Sequence, residues 1–138
     1  MCAKMLDPEF NKGMEVVVLP NLYGDIVTDV AAEHSGGLGS ACSSNIGNKY
    51  ALFEAIHGTA PYLMSHGRGD YANPCSLIRA IGQMLIHIGY ADRNELLDSA
   101  LEICTVTEKK LVVTTETKDA SAAEFTDYLI ETIRKIRG

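Results

Sequence analysis

An α/β fold class is what the 138-residue sequence predicts, and three observations carry the prediction. A β-branched run without alternation, Glu15-Val16-Val17-Val18-Leu19, stops at Pro20 and leads into apolar residues at helical spacing. A second short apolar run covers Ala51 to Ile56, and most of the remaining apolar residues fall into three amphipathic stripes. Short strands covered on both faces, interspersed with helices, are the pattern of layered α/β architecture.

Taken in order, residues 15–19 read as a buried strand. The segment Asn21-Leu22-Tyr23-Gly24-Asp25 has loop and cap chemistry, and Ile26, Val27, Val30 and Ala31 then continue as a helix. From Ser35 to Asn48 the composition turns to Gly, Ser, Ala and Asn, which favours flexible backbone and buries little side chain, so a boundary between layers is expected near residue 35. Ala51 to Ile56 is the second strand, and His57 to Asn73, with Gly58, Pro61, Gly67 and Gly69, reads as irregular. Asn73-Pro74 supplies an N-cap and a first-turn proline for a helix whose stripe is Leu77, Ile78, Ile81, Leu85 and Ile88, ending near Gly89, with Gly82 weakening it slightly. Leu96, Leu97, Ala100, Leu101 and Cys104 mark the next helix, and Leu111 to Thr115 a strand after it. The last helix opens with the capping box Ser121 and Glu124, carries Phe125, Tyr128, Leu129, Ile133 and Ile136, and ends in Arg134, Lys135 and Arg137, where cations suit the helix dipole. The sequence contains no internal repeat.

Composition narrows the partners. There are 12 Lys+Arg against 18 Asp+Glu, a net charge of −6, 46% hydrophobic residues and no Trp. Without a basic block, attraction to nucleic acid or to an anionic membrane is absent, and a small-molecule partner is expected. No apolar run approaches the roughly 18 residues of a bilayer span, and the N-terminus lacks a signal-peptide pattern, so cytosol or an organellar matrix is the expected compartment. Cys2, Cys42, Cys75 and Cys104 are too widely spaced for a CxxC motif and are expected to be free, buried thiols.

Two segments could carry chemistry. Asp25 and Asp29 stand four apart near the start of a helix, on one face. They are either first-turn acids that the helix dipole tolerates, or oxygen ligands of Mg²⁺ or Mn²⁺, which commonly uses one or two protein carboxylates and completes its shell with substrate and water. Their place just beyond a strand end is where open α/β sheets bind ligands. The second segment, Glu54-Ala55-Ile56-His57-Gly58-Thr59-Ala60-Pro61, runs from a strand end into a loop able to offer backbone N–H groups and an imidazole to a planar or phosphorylated ligand; it is equally compatible with a surface turn. Asn73 serves as an N-cap or as an amide reading an adenine edge. Gly36-Gly37-Leu38-Gly39 is neither a P-loop nor GxGxxG and reads as structural. His34, His66 and His87 have no partner at metal-ligand spacing, and His87 reads as a packing histidine.

Four segments in register resemble the isocitrate/isopropylmalate dehydrogenase family: Asn21 to Asp29; Gly36 to Gly39 with Ser44-Asn45-Ile46-Gly47; Phe53 to Pro61; and Ala72-Asn73-Pro74. Tyr23 and His57-Gly58-Thr59 look more like the isocitrate branch. The resemblance implies an α/β/α sandwich of which this chain is an incomplete, C-terminal part: residues 1–34 as the end of the small dimer-forming domain and 35–138 as the C-terminal half of the large cofactor-binding domain. It implies metal-dependent oxidative decarboxylation of a 2-hydroxy acid, most simply isocitrate to 2-oxoglutarate and CO2. Isopropylmalate, homoisocitrate and tartrate are alternative substrates, and a non-catalytic nucleotide-binding or regulatory subunit is an alternative role. Asp25 and Asp29 match the family's Mg²⁺/Mn²⁺ aspartates, where the metal acts as a Lewis acid. His57, Gly58, Thr59, Ala60, Pro61 and Asn73 match the adenosine end of an NAD site, and Glu54 lies toward its nicotinamide side. The family's catalytic acid and base and its substrate arginines have no counterpart here, so no catalytic residue is assigned and the chain alone is expected to be inactive. A homodimer or higher oligomer is the implied assembly.

The sequence departs from the pattern at the cofactor site. Where NAD-using members commonly carry an acid after the proline, this chain has Tyr62, and the stretch to Tyr71 is long and contains His66 and Arg68, either of which could meet a 2′-phosphate. These departures leave the choice of dinucleotide open, with NAD slightly preferred and NADP possible.

Overall fold

The computed structural model describes residue 7 and residues 9–34 and 41–138. The Gly36–Gly39 loop, Cys2 and the boundary expected near residue 35 lie outside the described residues. The chain divides into two compact units, residues 1–38 and 39–138.

In the first unit the run Glu15 to Leu19 forms no strand and pairs with none among the described residues. Val16 and Val18 are 81% and 90% exposed, so the expected strand covered on both faces is corrected to an exposed segment without regular structure. β-Branched residues favour a pleated surface only where a neighbouring strand supplies one. Helix α1, Asn21–His34, begins directly after Pro20, earlier than the expected loop, and buries Val27 and Ala32. The Gly24 N–H donates to the Pro20 carbonyl at 2.8 Å and the Thr28 hydroxyl to the Gly24 carbonyl at 2.8 Å. The helical reading of Ile26 to Ala31 holds, while Asp25 and Asp29 fall beyond the first turn rather than in it.

The second unit opens with β1, Cys42–Ile46, inside the stretch expected to be loop. It pairs antiparallel with β2, Ala51–Ala55, from Cys42 opposite Ala55 to Ile46 opposite Ala51. In β2, Ala51, Phe53 and Ala55 are half-buried while Leu52 and Glu54 face out, so one face of the hairpin is covered. Residues 57–73 are not wholly irregular: they hold a short helix, α2, Pro61–Ser65, and a 3₁₀ turn, Gly69–Tyr71. A five-residue helix is too short to display a periodicity.

Helix α3, Cys75–His87, packs against both strands and against α4, Ala91–Glu102. Its fully buried face consists of Cys75, Ser76, Ala80 and Gly82, whereas Leu77, Ile81 and Ile88 of the expected stripe are largely exposed. Small residues sit where the elements approach closest. A Cβ on Gly82 would overlap Asn94 Oδ1 of α4, so this glycine admits its neighbour as well as weakening its own helix. The Ser76 hydroxyl, fully buried, donates to the Ala41 carbonyl at the start of β1. Helix α4 continues into a π-helical turn, Ile103–Thr107.

Leu111 to Thr115 forms no strand among the described residues; it is an irregular segment whose Leu111 and Val113 pack on the core. Helix α5, Ala122–Arg137, has the expected capping box: the Glu124 N–H donates to Ser121 Oγ at 3.2 Å and the Ser121 N–H to Glu124 Oε2 at 2.8 Å. The core joins Cys75, Ala100, Leu101, Cys104, Phe125, Tyr128 and Leu129. At its edge the Tyr128 hydroxyl donates to Glu108 Oε2 at 2.5 Å, and this bond with burial pushes the phenol well above its ordinary range. Cys75 and Cys104 are free and buried as expected, and Cys42 is free but only half-buried.

Candidate functional site

The second unit contains a cleft of about 440 Å³ lined by His57, Gly58, Thr59, Ala60, Leu63, Met64, Gly69, Ala72, Asn73 and Thr115. Five of the seven residues expected at the cofactor site meet there: His57, Gly58, Thr59, Ala60 and Asn73. The wall they form is the turn leaving β2. Ala60 terminates it in the left-handed conformation, φ 47° and ψ 57°, as the cap of α2. An L-residue in that conformation carries a cost of roughly 1 kcal/mol, which surrounding structure must hold in place. Pro61 follows at the first position of α2, where its fixed φ starts the helix; it does not line the cleft.

Asn73 closes the opposite side. Its Oδ1 accepts from the Cys75 N–H at 3.0 Å, a turn that leads into α3 from one residue before the cap position, so the expected N-cap role of Asn73 is corrected. The helix itself begins at Cys75, so Pro74 stands at the cap position rather than in the first turn. With Oδ1 engaged, the amide Nδ2 remains for a ligand. The remaining expected residue, Glu54, lies on β2 outside the cleft, where its Oε1 accepts from Asn45 Nδ2 at 3.0 Å.

Four lining residues carried no expectation of a site. Leu63 and Met64 come from α2, which was too short to read. Gly69 lies on the 3₁₀ turn, where an added Cβ would come within 2.8 Å of Met64 Sδ, so its lack of a side chain sets the wall. Thr115 comes from the segment read as a strand and has φ 70°, which is rare for a β-branched residue. Ala72 was visible in the Ala-Asn-Pro motif. Beside the cleft, the Tyr62 and His66 rings stack with centroids 4.2 Å apart, and the Arg68 guanidinium lies 5.9 Å from the Tyr62 ring. Arg68 Nη2 stands 3.5 Å from Glu116 Oε1.

Asp25 and Asp29 belong to the first unit, one turn apart on α1 and both exposed. Among the described residues no group of three or more His, Cys, Asp or Glu is placed to hold a metal ion. Two adjacent, exposed carboxylates fit a hard cation that keeps several water or substrate oxygens. The other histidines hold no such cluster: His87 meets the Phe53 ring with centroids 5.5 Å apart but is exposed, and His34 is exposed at the end of α1.

Comparison with known proteins adds to this geometry. The sequence model of the isocitrate/isopropylmalate dehydrogenase family matches residues 1–133. The chain is 42% identical over 130 residues to a Dictyostelium discoideum protein named as a regulatory chain of mitochondrial isocitrate dehydrogenase (NAD); the match covers 94% of this chain and 35% of that protein. It is 51% identical over 86 residues to a Rickettsia bellii protein named isocitrate dehydrogenase (NADP), covering 62% of this chain and 17% of the relative. The crystal structure of isocitrate dehydrogenase from Methylococcus capsulatus superposes with a TM-score of 0.78 at 36% identity, covering 96% of this chain and 38% of that one. The chain thus spans well under half the length of these relatives. An ordered set of motifs, the cleft they build and matches along nearly the whole sequence lead to one conclusion: the chain belongs to the isocitrate/isopropylmalate dehydrogenase family.

Proposed function

We propose that this chain supplies the adenosine-binding wall and two metal-site carboxylates of an NAD(P)-dependent oxidative decarboxylase acting on isocitrate. The observation that carries the proposal is the convergence of His57–Ala60 and Asn73 on one cleft. In this reading the first unit is the end of the small domain and the second unit the C-terminal half of the large one. When bound, a divalent cation would supply Lewis-acid polarisation of the substrate's oxygen and the dinucleotide a hydride acceptor. The protein's own part is positioning. The turn 57–60, held by Ala60 and by the start of α2, offers backbone N–H groups and the His57 imidazole to the nucleotide. Asn73 Nδ2 donates to the base, and Leu63, Met64 and Ala72 supply an apolar surface against which a planar ring is desolvated. Asp25 and Asp29 would hold the cation by two oxygens on one helix face. Substrate and an oligomeric partner follow the family reading.

A second reading has specific support: the Dictyostelium relative that matches 94% of the chain carries a regulatory name. A regulatory chain would keep the nucleotide cleft without turning substrate over. Both readings require nucleotide binding, so calorimetric titration with NAD and adenosine monophosphate is the first test. Asn73→Asp keeps an oxygen for the Cys75 N–H but replaces the amide donor, and it should weaken binding of either ligand about tenfold while leaving the thermal transition near its original temperature. Wild-type affinity in Asn73→Asp would remove Asn73 from base recognition, and no binding to the wild type would remove the cleft from the function.

A further inference from the structure

Arg68 and Glu116 stand on two different segments that meet beside the cleft. Each adjoins a lining residue in sequence, Arg68 next to Gly69 and Glu116 next to Thr115. Their side chains are 22% and 52% exposed, and the guanidinium and carboxylate are 3.5 Å apart, longer than the roughly 2.7–2.9 Å of a close charge-assisted hydrogen bond. Arg68 Nε is buried and has no hydrogen-bond partner. A planar guanidinium with five donors is therefore held loosely, through one nitrogen, by a single carboxylate. The stacked Tyr62 and His66 rings flank it on the same short segment.

We propose that Glu116 is a specificity-determining residue of this cleft: by occupying Arg68 it acts as a built-in anion that opposes ligands carrying an additional phosphate at the cleft's edge. The inference rests on the reading of the cleft as a nucleotide site. A phosphate is the better partner for Arg68, because it can take two parallel N–H donors and its charge exceeds that of a carboxylate. To reach the guanidinium, however, it must displace Glu116 and then stand beside a freed negative charge. A dinucleotide without the extra phosphate meets neither obstacle. The charge that selects between the two dinucleotides is thus carried by Glu116, on a segment distant in sequence from Arg68.

The test is equilibrium binding of NAD, NADP and adenosine monophosphate to the wild type and to Glu116→Gln, Arg68→Met and the double variant, with Glu116→Ser as a second carboxylate deletion and far-ultraviolet circular dichroism to check the fold of each. Deleting the carboxylate should tighten NADP binding about tenfold and change NAD and adenosine monophosphate less than twofold. That gain should vanish in the Arg68→Met background and shrink with added salt. An unchanged ratio of NADP to NAD affinity in both carboxylate deletions, or a gain that survives Arg68→Met, overturns the proposal. If the wild type binds adenosine monophosphate normally in that event, the nucleotide reading stands. If no variant binds any nucleotide, both fall together.

Discussion

Two aspartates show what single residues reveal and what they do not. Their i, i+4 spacing was legible in the sequence, but their relation to the helix start was not, because Pro20 is followed by helix and not by a loop. The difference matters energetically. The favourable field at a helix N-terminus fades within the first turn, so Asp25 and Asp29, lying beyond it, repel each other without that compensation. Like charges at this spacing cost a few tenths of a kcal/mol, which a bound cation would reverse. Asp29→Asn should therefore stabilise the cation-free chain by about 0.3 kcal/mol. In the catalytically active assembly it should raise the Mn²⁺ concentration for half-maximal rate at least tenfold and lower turnover. An unchanged Mn²⁺ titration would take Asp29 out of the metal site. At the cleft, His57 to Ala60 and Asn73 were legible because loop and cap residues announce themselves chemically. Thr115 was not, because nothing in Leu-Val-Val-Thr-Thr signals a left-handed turn.

At the scale of elements, helices read well and strands poorly. All three helices in the second unit that the stripes foretell are present, because periodicity and caps are local properties. Residues 15–19 and 111–115 look like strands by composition but pair with none among the described residues, whereas Cys42–Ile46, poor in strand formers, is paired. Pairing is decided by a neighbour, and the neighbour is not written in the segment itself. The capping box of α5 has a pH signature. Hydrogen bonds from the Ser121 backbone and side chain hold the Glu124 carboxyl below its ordinary value of 4.5. A depressed folded-state value means the contribution is complete above the unfolded value and is lost as pH falls through the folded one. Ser121→Ala should lower stability by about 1 kcal/mol at pH 7. The gap between the two proteins should narrow between pH 5 and pH 3, since protonated Glu124 no longer holds the Ser121 donors strongly. Thermal unfolding followed at 222 nm measures it, and a gap independent of pH would show that the carboxylate adds nothing to the cap.

For the whole molecule, 138 residues with 46% hydrophobic content fit an ordinary folded domain, and the exposure pattern qualifies that. Val16 and Val18 are 81% and 90% exposed, and Leu77, Ile86 and Ile88 in and just after α3 are about half exposed. Burying a side chain of this kind is worth roughly 1.5–3 kcal/mol, so several exposed together favour association. The β-branched run, which pairs with no strand among the described residues, also offers N–H and C=O groups to another strand. The purified 138-residue chain should consequently self-associate, its sedimentation coefficient rising with concentration, and it should bind a hydrophobic dye such as ANS. Replacing Val16 and Val18 with Lys should lower both effects, because charges on an unpaired edge oppose strand addition. Because it spans 38% of the isocitrate dehydrogenase whose structure it matches, the same chain should produce no NADH or NADPH from isocitrate. A monodisperse monomer that leaves the dye dark would show that these surfaces are tolerated in water, and isocitrate-dependent reduction of either dinucleotide by the chain alone would show that its chemistry is complete.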